Sequence, residues 1–365
     1  MGINLLLRKE GLENIQKLNT LRVNQIASNL SNKLCNSFPE LHLSQSDLFR
    51  QLSRLDMYVA QMQDTNSSAK YVYGNGSIYF NQNQNLNQMD IPIIHECIHY
   101  LQEAKDSKGK LIRLGLYDLN KQTGLALNEA AVQLIAVRTV NKQIDTVKYF
   151  GMSFISESPE FYPLECALLS QMTFFTGNEA MYFSTLYGIP MFEKTFKNMS
   201  DDDTYFDIEM DFDKLLETET DLAILSQKLQ TTDTSIEKSK LLQLQIEAKK
   251  KSITKTCTKI QNKIIETCFK RKFMDASTFD DLRELETDLN SFQNLLIKPA
   301  NYTFYDEFCE KILKDINFKK DQIIKYGKVI DIPKEYSNYL PIVVAPKKLS
   351  KIHEIINTLK EFILG

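Results

Sequence analysis

Two histidines four residues apart, with a glutamate directly after the first, give this sequence its clearest chemistry. They are His95, Glu96 and His99, and they form an H-E-x-x-H motif. Residues i and i+4 of an α-helix lie one turn apart on the same face, so both imidazoles could bind one metal ion. The glutamate between them would face a water on that ion. The motif therefore predicts a metal site with an adjacent general base.

A second interpretation of the motif stays open. The chain has only four histidines, so this spacing is improbable as an accident, yet a motif match is a hypothesis until its structural context is known. In the alternative, His95 and His99 are ordinary polar residues on a half-buried helix. They could also belong to a degenerate metal site that no longer catalyses.

The residues around the motif predict a helix in the required orientation. Asp90 is suited to the N-cap, and Pro92 fits the first turn, where its missing N–H costs nothing. Apolar residues then follow at the i, i+3, i+4, i+7 spacing of a buried face: Ile94, Cys97, Ile98 and Leu101. The two histidines fall on the neighbouring face. Cys97 is accordingly predicted to be a small core residue and not a ligand.

A third ligand must come from elsewhere, because a catalytic zinc site has three protein ligands and one open position. His42 and His353 lie far from the motif along the chain, so a carboxylate is expected. Glu129 is the best candidate, on a second helix with an inward-facing apolar side and small residues that permit close helix approach. Its alternative role is a solvated carboxylate stabilised by the helix dipole.

These residues resemble the glutamate zincins, the thermolysin-like metallopeptidases in which H-E-x-x-H on one helix is completed by an Asn-Glu-Ala type motif on the next. The resemblance covers roughly residues 55–140. It implies a Zn²⁺ cofactor held by His95, His99 and Glu129, with Asn128 beside the third ligand. It also implies that Glu96 is the general base, which activates a zinc-bound water to hydrolyse peptide bonds in a peptide or protein substrate.

One position departs from the family pattern. The glutamate helix of that family usually carries an acidic residue four positions after the ligand, where it supports a zinc-bound histidine. This chain has Gln133 there. An amide can accept a hydrogen bond from an imidazole N–H but lacks the charge that raises ligand basicity, so the substitution predicts a lower metal affinity or rate.

The resemblance also implies a small sheet before the metal helices, with its edge strand bordering the substrate cleft. Three runs rich in Val, Tyr, Ile and Phe predict such strands at residues 54–62, 69–73 and 77–81. Gly74-Asn75-Gly76 between the last two is a hairpin signal. An exposed edge there could hold an extended peptide by backbone hydrogen bonds.

The donor that stabilises the oxyanion of the reaction is open, because no third histidine is available in the predicted lobe. A tyrosine is the expected substitute, with Tyr162, Tyr182 and Tyr187 as candidates and Tyr162 preferred. Glu165 follows at the start of a predicted helix. It is either a partner of a ligand or a first-turn carboxylate, and the second role is favoured.

The whole chain predicts an α+β, mostly helical protein of two domains. Residues 1–200 would form the zincin-like metallopeptidase domain with N-terminal helices. Residues 201–365 would form an all-α, coiled-coil-like accessory domain that contains a long helical hairpin. Helices are predicted at about 9–35, 44–52, 163–175, 178–187, 212–230, 235–270, 275–296, 302–326 and 349–363, with a break at 231–234.

Composition limits the other function classes. A net charge of −3 argues against nucleic-acid binding, and the lysines at 249–251 are interpreted as a solvated helix face. Six scattered cysteines suit reduced thiols. With no signal peptide and no apolar run of membrane-spanning length, a cytoplasmic location is expected, although non-classical export stays open.

Two functions follow as hypotheses. The first is a zinc-dependent peptidase with a helical accessory domain. The second is a catalytically degenerate zincin-like scaffold that acts as a protein-interaction module, with the helical domain binding a protein partner.

Overall fold

The chain folds into an α+β structure that is mostly helical, as its sequence predicts. The computed structural model describes Leu7 and residues 10–64, 67–142, 144–231, 236–329, 332–333 and 336. Its helices are α1 (Thr20–Ser37), α2 (Gln45–Leu52), α3 (Ile91–Leu101), α4 (Leu125–Thr139), α5 (Pro163–Thr176), α6 (Asn178–Tyr187), α7 (Met191–Met199), α8 (Asp202–Thr231), α9 (Ile236–Asp275), α10 (Phe279–Phe292) and α11 (Phe304–Tyr326). Its strands are β1 (Leu12–Lys17), β2 (Asp56–Met62), β3 (Ala69–Val72), β4 (Ser77–Asn81), β5 (Glu103–Lys105), β6 (Leu111–Leu114), β7 (Tyr117–Asp118), β8 (Asp145–Tyr149), β9 (Met152–Ser156) and β10 (Lys298–Pro299).

A four-stranded sheet in the order β1-β2-β4-β3 precedes the H-E-x-x-H helix. The predicted hairpin is confirmed: β3 and β4 pair antiparallel across the turn at 73–76, whereas β2 and β4 run parallel. All five residues of β4 are buried, as expected for a central strand. The shorter β3 is left at the edge of the sheet.

The predicted N-terminal helix at 9–35 is wrong in its first part. Residues Leu12–Lys17 form β1, which pairs antiparallel with β2, and the helix begins only at Thr20. Gly11 adopts a positive φ of 70° before the strand, a conformation that glycine reaches without steric cost. The side chain of Asn19 then accepts a hydrogen bond from Arg22 N–H and caps α1. The strand depends on a partner that lies more than forty residues away, which local periodicity does not reveal.

Two further small sheets were not predicted. Strands β5, β6 and β7 form one between α3 and α4, and β10, β9 and β8 form the other. Their members are two to five residues long, and runs this short carry little periodicity.

The long helices α8 and α9 pack against each other and run in opposite directions. Three ion pairs between the helices show this direction. Later residues of α8 pair with earlier residues of α9: Asp207–Lys263, Asp211–Lys259 and Asp221–Lys249. The first helix begins ten residues before its predicted start at 212, because Asp202 and Asp203 occupy its first turn and favour its positive end. The predicted helix at 349–363 lies outside the described residues.

The main hydrophobic core continues across the predicted boundary at 200/201. It joins residues of α1 to α7 with buried residues of α8 and α9, such as Phe212 and Cys257. A second cluster lies between the end of α9, α10 and α11. In the described part of the chain, no helix has the length and apolarity needed to cross a membrane.

Candidate metal centre

Helix α3 places the two histidines where the sequence predicted them. The side chain of Asp90 accepts a hydrogen bond from Ile93 N–H at 3.1 Å, and a proline occupies the first turn. The predicted apolar face is buried, with Cys97 fully inaccessible. His95 and His99 are also buried, at 6% and 4% exposure, so each of them needs a polar partner in the interior.

Glu129 on α4 supplies that partner and converges with both rings. Its Oε2 lies 3.1 Å from His95 Nε2, its Oε1 lies 3.7 Å from His99 Nε2, and the two Nε2 atoms are 3.0 Å apart. Ligand atoms bound tetrahedrally at about 2.0–2.2 Å would be about 3.3–3.6 Å from one another. The observed separations bracket that range, so movements of a few tenths of an ångström bring the three side chains to metal-binding distances.

The second nitrogen of each ring is held by a buried glutamine. Gln133 Oε1 lies 3.0 Å from His95 Nδ1, and Gln102 Nε2 lies 2.7 Å from His99 Nδ1. An amide oxygen at Nδ1, as at His95, keeps the proton on that nitrogen and leaves the Nε2 lone pair for a metal. Gln133 was predicted for this position, whereas Gln102 was missed. Its spacing of three residues from His99 was the available signal, since i and i+3 side chains are neighbours on a helix.

The orientation of the Gln102 amide can be judged from its contacts. Its Oε1 is buried and has no hydrogen-bond partner. Turning the amide by half a rotation would let Oε1 accept the Nδ1–H of His99, and the Nε2 lone pair of that ring would then be free for a cation. The orphaned oxygen and the donor set of two imidazoles and one carboxylate therefore fit a metal ion.

Charges at the centre favour an ionised carboxylate. Burial alone would raise the pKa of Glu129, but the charges and hydrogen bonds of His99 and His95 outweigh it and hold that pKa far below its ordinary value. For His99, burial lowers the pKa, and the neighbouring Glu129 carboxylate more than compensates, so the net shift is upward. Protons and metal ions would thus compete for the same nitrogens.

Glu96 is hydrogen-bonded to the edge strand β3. Its Oε2 accepts a hydrogen bond from the backbone N–H of Tyr71 at 2.7 Å. This N–H is directed away from β4, so the free edge of β3 faces α3 and the candidate centre. The edge strand therefore fixes the orientation of the predicted general base.

Two tyrosines flank the histidines. The Tyr162 ring stacks on His95 with centroids 6.0 Å apart, and the Tyr73 ring lies edge-on to His99 at 5.8 Å. Burial and the nearby Glu129 carboxylate raise the pKa of both hydroxyls, so both stay protonated and can donate hydrogen bonds. Tyr162 has a positive φ of 50° just before Pro163, and such strain in a bulky residue is concentrated at functional sites. Tyr73 was missed because it was interpreted as the last residue of the predicted strand 69–73, whereas the strand ends at Val72 and Tyr73 begins the turn.

The other two tyrosine candidates lie elsewhere. Tyr182 packs edge-on against Phe38 at 4.8 Å and beneath the guanidinium of Arg138. Tyr187 stacks on Phe183 at 5.3 Å. Both rings pack against residues of the helical core, so neither ring takes part in the candidate centre.

Asn128 supports α4 instead of contacting a histidine. Its Oδ1 accepts a hydrogen bond from Leu116 N–H at 3.1 Å. Gly115 lies just before that residue, and a Cβ added there would be 2.4 Å from Asn128 Oδ1 and 2.6 Å from Gln102 Oε1. Only glycine leaves room for these two amides, and its positive φ of 54° agrees with that requirement.

Glu165 lies in the first turn of α5, as predicted, but it is not solvated. It is fully buried and faces Glu219 of α8. Burial and the Glu165 charge raise the pKa of Glu219 to about 10, and burial also raises the pKa of Glu165. Both oxygens of Glu165 and Oε1 of Glu219 are buried without a hydrogen-bond partner among the residues that the structure describes, so at least one of the two carboxyl groups is expected to be protonated at neutral pH.

Within the described part of the chain, His95, His99 and Glu129 form the one group of His, Cys, Asp or Glu side chains that could hold a metal ion. Comparison of the chain with protein-family models, with curated proteins and with solved structures finds no match.

Proposed function

We propose that this protein is a zinc-dependent peptidase of the glutamate zincin type. The observation that carries the proposal is the convergence of His95 Nε2, His99 Nε2 and the Glu129 carboxylate within 3.0 to 3.7 Å. A buried glutamine lies on the remaining nitrogen of each ring. Structural zinc sites are closed by a fourth protein ligand, whereas three ligands leave a position for reaction.

Zinc is the metal that best suits this donor set. Two imidazoles and one carboxylate are the ligands of several zinc hydrolases, and a set without thiolates gives no preference for copper(I) or iron–sulfur chemistry. When bound, zinc would supply Lewis acidity and lower the pKa of a water molecule in the open position.

Glu96 would accept a proton from the attacking water and return it to the leaving amine. Its carboxylate is already oriented by the Tyr71 N–H. The rings of Tyr162 and Tyr73 lie beside the two histidines, and their protonated hydroxyls would donate hydrogen bonds to the oxyanion. The free edge of β3 would bind the substrate as an added strand, which favours an extended peptide.

Metal analysis combined with matched glutamate variants tests this function. Purified wild-type protein should contain about one zinc per chain and cleave members of a peptide library. Glu96→Gln should keep the zinc and lose cleavage, because the amide cannot accept the proton. Glu129→Gln should lose both zinc and cleavage. Glu160→Gln serves as the control, since Glu160 is exposed and pairs only with Lys142.

Two outcomes would contradict the proposal. If the wild-type protein binds no zinc, zinc is not its cofactor. If Glu96→Gln cleaves peptides as well as the wild type does, Glu96 is not the general base. Zinc binding without any hydrolysis by the wild type would instead support the alternative, a zincin-like scaffold that serves as a protein-interaction module.

A further inference from the structure

A basic groove lies between the long helix α9 and the turn that joins β8 to β9. It is open to solvent and has a volume of about 1050 Å³. Five lysines and a single glutamate are among its twelve lining residues, although the protein as a whole has a net charge of −3. Positive charge is thus concentrated in one concave region of an acidic protein.

Three of these lysines form a row along α9. Lys251, Lys255 and Lys259 are exposed and spaced four residues apart, so they project from one face at intervals of about 6 Å along the axis. Like charges at i and i+4 destabilise a helix. A bound anion would relieve that repulsion.

The lysines of α9 differ in whether they form ion pairs with carboxylates. Lys249 and Lys263 bind carboxylates of α8, and Lys259 also reaches Asp211. No carboxylate of the described residues pairs with Lys251 or Lys255. Lys250, which also lines the groove, pairs with Glu247, so Lys251 and Lys255 are the groove lysines of α9 that remain available to a ligand.

The opposite wall is a strained hairpin turn. Phe150 and Gly151 have φ values of 49° and 78° and connect the paired residues Tyr149 and Met152. Such a two-residue turn favours Asn or Gly at its first position, and a bulky aromatic residue with a positive φ is uncommon. The turn places Phe150 against the groove beside exposed Lys148, which also has no carboxylate partner among the described residues.

We propose that this groove binds an extended acidic peptide segment. In an extended strand, side chains on the same face are separated by about 6.6–6.8 Å, which matches the spacing of about 6 Å between the lysines. Acidic residues at alternate positions could then pair with successive lysines. The aromatic wall would contact the apolar residues between them.

A peptide fits this groove better than a nucleic acid does. Tyr149 and Phe150 have ring centroids 3.9 Å apart, so they pack on each other and leave little free ring surface for stacked bases. Few unpaired charges are present for a ligand with a phosphate at every residue.

The groove is connected structurally to the candidate metal centre. The hairpin that forms its wall continues through β9 to Ser158, whose Oγ accepts a hydrogen bond from Gln133 at 2.9 Å. If the proposed peptidase function holds, the acidic segment would belong to the substrate and would recruit it outside the cleft. Binding itself does not depend on hydrolysis.

Fluorescence anisotropy with a labelled peptide of five Glu-Val repeats tests the proposal, using metal-free protein so that no cleavage occurs. Saturable binding is expected, and it should weaken as salt is raised from 50 to 300 mM. The double substitution Lys251→Glu/Lys255→Glu should weaken binding by about tenfold or more. The control Lys238→Glu/Lys240→Glu makes the same charge change on exposed lysines of the same helix and should alter binding by less than about twofold.

Three results would overturn the proposal. They are the absence of saturable binding at low salt, an equal loss in the two double variants, and tighter binding of a ten-residue single-stranded DNA than of the peptide. The thermal midpoint of Lys251→Glu/Lys255→Glu should stay close to that of wild type, because both positions are exposed and the double change leaves the number of like-charged pairs at i and i+4 unaltered. A midpoint close to that of wild type would show that weaker peptide binding by this variant does not result from unfolding.

Discussion

The Gln133→Leu substitution tests how the metal centre is built. Gln133 is 2% exposed, and its amide joins His95 Nδ1 at 3.0 Å to Ser158 Oγ at 2.9 Å. Leucine keeps most of the side-chain volume but removes both hydrogen bonds. The His95 ring then loses the contact that directs its Nε2 toward Glu129. Metal-free protein should still fold, since the main core is unchanged.

The size of the effect can be estimated in two ways. An unpaired buried donor costs about 1–3 kcal/mol, here the Nδ1–H that a metal-bound His95 must retain. Loss of a hydrogen-bonding partner behind a metal ligand lowers metal affinity by about 10- to 100-fold, which corresponds to about 1.4–2.7 kcal/mol. The two estimates agree, so we expect zinc to dissociate from Gln133→Leu about 10- to 100-fold more readily.

Competition with a chromophoric chelator measures this affinity. Gln171→Leu is the matched control, because Gln171 is also fully buried and donates to Gln261 at 2.8 Å, but it does not contact a ligand. The control should lose stability and keep its zinc affinity. An affinity of Gln133→Leu within about threefold of wild type would refute the role assigned to this amide.

Gln133→Glu gives the converse result. A carboxylate would raise the basicity of His95, so the variant should bind zinc more tightly than Gln133→Leu does. Its second oxygen, however, would face Ser158, whose hydroxyl already donates to Phe161 O at 2.6 Å. Two acceptors would then meet, and a thermal midpoint below that of wild type is expected. A midpoint above wild type would show that the Ser158 hydroxyl reorients freely.

Three further predictions concern other parts of the structure. Gly115→Ala should lower both the thermal midpoint and the zinc affinity, because its Cβ would be 2.4 Å from Asn128 Oδ1; calorimetry and chelator competition would show this, and an unaltered midpoint would contradict it. Tyr162→Phe should reduce kcat by about 10- to 100-fold with little change in KM if its hydroxyl stabilises the oxyanion; a change confined to KM would argue against that role. Burial raises the pKa of Glu219 to about 10 in the folded state, from an ordinary value near 4.5. The contribution of this group to the free energy of unfolding is therefore full below about pH 4.5. It falls as the pH rises toward 10, by up to about 1.4 kcal/mol per pH unit. Urea unfolding of Glu219→Gln between pH 6 and 9 should show a flatter dependence, and parallel curves for the two proteins would mean that Glu165 and Glu219 are not proton-linked.

The helix that carries the two histidines could be predicted because its cap and its apolar spacing are properties of one short segment. Asp90, Pro92 and the apolar spacing of α3 all lie within one short segment, and the cap and buried face that they form are confirmed. The glycine turn between β3 and β4 is local in the same sense. The position of Glu129 beside the histidines depends on helix packing. The apolar side and small residues of its helix indicated that position beforehand, and the resemblance to a known metal-site pattern agreed with it.

Long-range contacts account for what the sequence did not reveal. The strand at Leu12–Lys17 pairs with a strand that follows the next two helices. The role of Gln102 depends on the orientation of the His99 ring, whose Nδ1 faces the amide. Glu165 was expected at the solvated start of a helix, yet packing of α8 over α5 buries it against a second carboxyl. Tertiary contacts override local preference in each case.

The cap of α4 links the parts of the chain on the two sides of the predicted boundary at 200/201. Gly124 begins this helix without a capping side chain of its own, and Asp213 of α8 accepts hydrogen bonds from Gly124 N–H at 2.9 Å and Ala126 N–H at 2.8 Å. A cap of this kind stabilises a helix by about 0.5–2 kcal/mol. A fragment that ends near residue 200 would lack it, together with the apolar cover of the shared core. The long helices thus stabilise the helix that carries Glu129, and a ligand that displaces α8 would also shift this candidate metal ligand, which lies little more than one turn from Gly124.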